Sequence, residues 1–245
     1  PHIGISHGMG NHPPASTKER KSGRILRVVL TGGPMAGKTS ALEWLRRELI
    51  KVPTFHNLRL MLTPESATTV YKMGINRCND LGTDGSRLVT FQGAVFDLQV
   101  MMEDLAVRVA KQLSPLAEDD IIIIMDRGIL DGKGYMTEQS WLTLLAQKNT
   151  SECNLLTRYD VVIHLRSIAV ENGGLYETLL HTNRVRTETC LQAASQDDKE
   201  WLSWQDHPAH IRIDNHNGDW EAKMQLLLQA IVQSFKTRAI QRVGG

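Results

Sequence analysis

Residues 32–39 read GGPMAGKT, which fits G-x-x-x-x-G-K-[ST] through Gly32, Gly37, Lys38 and Thr39. Residue types at this spacing suit one task, holding the phosphates of a nucleotide. Glycines let backbone N–H groups crowd around phosphate oxygens, and a helix starting at Lys38 aims its partial positive end at them. Lys38 adds a point charge, and the Thr39 hydroxyl can ligate Mg²⁺. The candidate nucleotide-binding set is the whole stretch Gly32, Gly33, Pro34, Met35, Ala36, Gly37, Lys38, Thr39 and Ser40. A Gly-rich turn that happens to precede Lys-Thr would share the letters, so the flanking elements must decide.

A phosphate loop needs an acid near its metal, usually at the end of a neighbouring buried strand. Asp126 closes the run DDIIIIMD and is that candidate second Mg²⁺ ligand, with a helix-capping aspartate as the bland alternative. Arg127 follows it and can clamp phosphate oxygens or form an ordinary surface ion pair. Glu65 follows the second strand candidate, where a carboxylate can accept a proton from an attacking hydroxyl or simply favour a helix start. Arg184 and Arg186, in NRVRTE, precede a helix and could close over the charge that develops in phosphoryl transfer. Charged residues in that position are common, so alone they specify little.

These side chains need a frame. RILRVVLT (24–31) reads as a buried strand and KTSALEWLRRELIK as a helix, with Leu42, Leu45 and Leu49 at helical spacing, which is the order a phosphate loop requires. NLRLMLT (57–63) is a second strand, and ESATTVYKM a short helix ending near Gly74. Residues 75–87 are loop-like, and a long helix over 88–113 is expected to stop at Ser114 and Pro115. Further strands are expected at 119–126, 160–166 and 210–214. Helices are expected from the cap candidate Thr137, over 186–205, and over 219–240. Strands alternate with helices, which predicts a three-layer α/β domain around a parallel sheet. Trp201 and Trp204 read as core or lid packing, and His164 as a satisfied core histidine.

The chain has 245 residues, 41% of them apolar and 22% charged, as in one ordinary globular domain over 24–245. Residues 1–23 are rich in Gly, Pro, Ser and His and read as a flexible N-terminal arm, in which His2, His7 and His12 are tail residues rather than metal ligands. A net charge of +1 offers no general attraction for nucleic acid. Three scattered cysteines, Cys78, Cys153 and Cys190, fit a reduced, cytoplasmic protein, and no apolar run is long enough for a transmembrane segment.

Together GGPMAGKTS, PESATTVYKMG, TFQGAVFDLQVMMEDLA, IIIIMDRGILDG, RYDVVIHLRS, NRVRTE and HP-x4-ID-N resemble the nucleotide-binding domain of the TRPL translocation defect family. That family is grouped with NadR-type nicotinamide riboside kinase domains as a small AAA-like P-loop class, and the likeness runs in order over residues 24–241. More distantly, the set is similar to deoxynucleoside and thymidylate kinases. This resemblance implies a P-loop NTPase with a five-stranded parallel sheet in the order 2-3-1-4-5. It also implies Glu65 as general base, Gln92 as a substrate-reading amide, and Asp126 with Arg127 as the acid–arginine pair. Arg184 and Arg186 would lie in a lid, and the segment DNHNGDW, with Asn215, would border the nucleotide base.

The departures matter too. TRPL translocation defect proteins carry a lipid-binding domain after this one, and this sequence ends where it would begin, so lipid binding is not expected from these residues. The helical lid domain and arginine-finger apparatus of ring ATPases are not expected either. No N-K-x-D segment selects guanine, so ATP and GTP both fit. Three functions follow: a Mg²⁺-dependent phosphotransferase acting on a small nucleoside-like hydroxyl acceptor; a slowly hydrolysing regulatory or trafficking module with a protein partner; or a nucleotide-binding scaffold without turnover.

Overall fold

The computed structural model describes residues 23–55, 57–74, 85–117, 119–180, 188–215 and 218–241. His2, His7, His12, Cys78, Arg184 and Arg186 lie outside them, as does the expected arm apart from Gly23. In chain order the elements are β1 (Ile25–Thr31), α1 (Lys38–Glu48), β2 (Arg59–Thr63), α2 (Ser66–Lys72), α3 (Gly85–Ala117) and β3 (Ile121–Asp126). A 3-10 segment (Ile129–Tyr135), α4 (Glu138–Gln147), α5 (Glu152–Leu156), β4 (Val161–Leu165), α6 (Ile168–Glu171) and α7 (Gly173–Leu180) follow. The chain then forms α8 (Cys190–Ser203), β5 (His210–Ile213) and α9 (Trp220–Gln241).

The five strands form one parallel sheet in the order β2-β3-β1-β4-β5. Strand alternation builds three layers, because successive side chains point to opposite faces. Leu26, Val28 and Leu30 of β1, with Ile122 and Ile124 of β3, meet α1 and the Met224, Leu227 and Ile231 stripe of α9. Val29, Ile121, Ile123 and Met125 meet Phe96 of α3, Trp141 of α4 and Trp204 on the other face. Both faces being covered explains why β3 reads as unbroken Ile. All five strands also end on the same edge of the sheet, and that edge is where the loops carrying the candidate residues emerge.

Several local boundaries differ from those the sequence suggests. α3 begins at Gly85 and runs through Ser114 and Pro115 to Ala117; a proline in the last turn removes only one hydrogen bond before the helix ends. α8 starts at Cys190, later than expected, because Thr189 caps it: its hydroxyl accepts from Gln192 N–H and its own N–H donates to Gln192 Oε1 at 2.9 Å. Thr137 caps α4 as its type suggests, accepting from Ser140 N–H at 3.2 Å. The 3-10 segment, α5, α6 and α7 are short elements that periodicity does not reveal. Trp204 is a core residue, fully buried. Trp201 stacks on His210 with ring centroids 3.9 Å apart. Among the described residues no helix is long and apolar enough to cross a membrane.

Candidate functional site

β1 ends at Thr31 and the chain turns over Gly32–Gly37 into α1. Gly37 adopts a left-handed φ of 88°, which delivers the helix N-terminus to the sheet edge. No side chain caps α1, so its first N–H groups face a cavity of about 350 Å³ lined by Lys38, Thr39, Ser40, Glu65, Asp126 and Arg127, among others. Thr39 and Ser40 are exposed. Lys38 Nζ donates to the Gly33 carbonyl at 3.1 Å and also to the Gly32 carbonyl, parked on its own loop. Burial and then the neighbouring Arg127 charge hold its pKa down.

Behind the loop stands a second set of side chains that sequence reasoning missed. Asp197 of α8 accepts from Gly33 N–H at 2.8 Å, Ser167 N–H at 3.0 Å and His164 Nε2 at 3.2 Å through one oxygen. Burial opposes its ionisation, but those bonds outweigh it and hold its pKa below the usual carboxylate value. Ser167 donates to the Pro34 carbonyl. Lys223 of α9 donates to the Ala36 carbonyl at 2.9 Å, the Arg166 carbonyl at 2.9 Å and Asn215 Oδ1 at 2.6 Å. His164, expected as a satisfied core histidine, is fully buried but only half satisfied: Nε2 meets Asp197, while Nδ1 has no partner among the described residues.

Asp126 ends β3 beside Leu30, where β1 gives way to the loop. Among the described residues no hydrogen bond or ion pair engages its carboxylate, and burial is the leading cause holding its pKa up. Those residues contain no cluster of three His, Cys, Asp or Glu side chains that could cage a metal. The donors present fit Mg²⁺ instead, which is held by one carboxylate and a hydroxyl while phosphates and waters complete its shell. Thr39 and Asp126 line the same cavity and are donors of that kind.

Arg127 takes a left-handed backbone, φ 69°, unusual for a residue with a side chain. Its N–H donates to the Leu30 carbonyl at 3.0 Å, and its carbonyl accepts from Gln99 Nε2 at 3.1 Å. The guanidinium bonds Glu65 at 2.8 Å and lies 3.0 Å from Glu200 of α8. Glu65 also accepts from Thr68 Oγ1 at 2.5 Å. Burial pushes the Glu65 carboxyl up, yet Arg127 and Thr68 together bring it below its ordinary pKa. Asp131, also missed from sequence, accepts from Gly128 N–H at 2.7 Å and from Thr31 Oγ1, tying the 3-10 segment to β1.

On the far side of Glu65 and Arg127 lies a second cavity, of about 210 Å³. Phe91, Phe96 and Trp141 form apolar walls, and Gln92 and Tyr135 add polar groups. Gln92 is a buried residue on the lining of this cavity. Asn215 is buried as well but is engaged inside the protein, donating to the Ser167 carbonyl at 3.1 Å while accepting from Lys223. The structure thus brings the phosphate loop, Glu65, Asp126 and Arg127 around one cavity and Gln92 into the next. Asn215 stands behind the loop instead.

A family described as an AAA domain matches residues 27–223. Among solved structures the chain is similar to thymidylate kinase from Ehrlichia chaffeensis, with 14% identity and a TM-score of 0.49 over 86% of this chain and 98% of that one. So remote a likeness adds no argument to the geometry. No curated protein matches the chain.

Proposed function

This chain belongs to the AAA-domain family, and we propose that it transfers the γ-phosphate of ATP or GTP, with Mg²⁺, to a hydroxyl of a small nucleoside-like acceptor. The observation that carries this reading is a shared wall: Glu65 and Arg127 line both the phosphate cavity and the apolar cavity. A flat ring suits the aromatic walls, and the Gln92 amide on the lining can donate to and accept from a polar ring edge.

In this reading the acceptor oxygen attacks the γ-phosphorus while Glu65 takes its proton. The bond to the bridging oxygen breaks, and the nucleoside diphosphate leaves. Lys38 and Arg127 stabilise charge on the equatorial oxygens, and Thr39 and Asp126 would hold Mg²⁺, which neutralises phosphate charge. Arg184 and Arg186 are assigned to the lid by resemblance. The finer likeness to TRPL translocation defect proteins and NadR-type kinases belongs to this proposal, as does a cytoplasmic setting, which the free thiols of Cys153 and Cys190 suit.

One observation favours the slow regulatory module with a protein partner: Glu65 is already bonded to Arg127 and Thr68, which makes it a weak base. Diphosphate release from ATP and GTP, measured across a panel of nucleosides and nicotinamide riboside, separates the two. The kinase reading expects acceptor-dependent release that Glu65→Gln lowers roughly 100-fold with little change in nucleotide affinity. Tight nucleotide binding with no acceptor dependence supports the module.

A further inference from the structure

A nucleotide whose γ-phosphate lies beside Asp126 has a constrained path. β3 and β2 flank β1 on the side of Asp126 and Glu65, so the nucleoside leaves the loop toward β4 and β5. Two side chains there are candidates for meeting a base. Asn215 follows β5, but its amide oxygen accepts from Lys223 and its amide nitrogen donates to the Ser167 carbonyl. With the residue only 6% exposed, that amide is a poor reader of base edges.

Trp220 is the other. Asp219 caps α9 by accepting from Ala222 N–H at 3.0 Å, which fixes where the first helical residue, Trp220, projects. Its six-membered ring lies against the phosphate loop: a Cβ placed on Gly37 would fall 2.6 Å from Cζ3. Yet Trp220 remains 38% exposed, an indole seated on the loop and still open to solvent. An aromatic face stacks on any base, because every base has a π-face.

We infer that Trp220 is the platform on which the nucleotide base stacks and that the site therefore distinguishes poorly between ATP and GTP. This rests on the phosphate-loop reading of Gly32–Thr39. The test is calorimetric titration of the full chain with the Mg²⁺ complexes of ATP, GTP and inorganic tripolyphosphate, using wild type, Trp220→Leu and Trp220→Phe. Stacking predicts that Trp220→Leu weakens both nucleotides about tenfold or more and leaves tripolyphosphate unchanged, while Trp220→Phe keeps most of the affinity. It also predicts wild-type affinities for ATP and GTP within about fivefold of each other.

Equal loss for tripolyphosphate would make Trp220 a prop for the loop and overturn the inference. So would no loss at all, or a base preference above about thirtyfold. Should Trp220→Leu fold poorly, tryptophan fluorescence takes its place: ATP must quench wild type, tripolyphosphate must not, and Trp220→Phe must lack the change. Failure of tripolyphosphate to bind wild type, together with nucleotide binding indifferent to Lys38→Ala, would remove the phosphate loop itself, a result distinct from failure of the stack.

Discussion

The two sides of the phosphate loop are built on opposite principles. In front, α1 begins without a side-chain cap, Thr39 and Ser40 are exposed, and Asp126 lacks an ion pair among the described residues. Behind, Asp197, Ser167 and Lys223 hold the loop through hydrogen bonds, most of them buried, and Asn215 braces Ser167 and Lys223 in turn. Open polar groups are costly in a fold, so a surface that keeps them facing a cavity is suited to receive a charged ligand. A loop carrying them needs rigid backing, and α8 and α9 supply it.

The contrast can be broken from either side. Lys38→Ala, in front, should lower nucleotide turnover at least about 100-fold while leaving the melting temperature nearly unchanged. Paired turnover and melting measurements check this, and a large loss of stability would put Lys38 in the scaffold. Asp197→Ala, behind, strands the Gly33 and Ser167 N–H groups and His164, at a cost of about 3 kcal/mol. Thermal unfolding should register this as a fall of roughly 6–12 °C, and Asp197→Asn, which keeps an acceptor oxygen, should lose less.

Lys223→Met sharpens the comparison most finely, with an expected loss of about 1–2 kcal/mol at neutral pH, because three buried acceptors lose their donor. The effect depends on pH. Burial lowers the Lys223 pKa from the usual 10.5 to about 8, so between those values the folded protein holds fewer protons at this amine than the unfolded chain. Wild type should therefore gain stability relative to Lys223→Met as pH rises through that window. Melting curves of both proteins at pH 7 and above pH 10 would show the gap widen; a gap that narrows would contradict the buried amine.

The front of the loop was legible in the sequence because phosphate chemistry dictates residue types at fixed spacing between a strand and a helix. The sheet order was carried by the family resemblance and agrees with the structure. The back was not legible, since Asp197 meets Gly33 from 164 residues away and Lys223 meets Ala36 from 187. A weaker signal did exist. Lys223 sits on the stripe that continues through Leu227, Ile231 and Phe235, and Asp197 and Glu200 share a stripe with Ala193 and Trp204. Charged residues on the apolar face of a helix must be paired indoors, and these are. The short elements after β3 and β4 escaped because one or two turns give too little of a period to read.

The most direct test of the account follows the γ-phosphate itself. Wild type is incubated with γ-labelled ATP or GTP, Mg²⁺ and an acceptor drawn from the nucleoside panel, and the label is traced. The account predicts label on an organic acceptor, lost with Lys38→Ala and sharply reduced with Glu65→Gln. Label found only in inorganic phosphate, at a rate no acceptor changes, would contradict it.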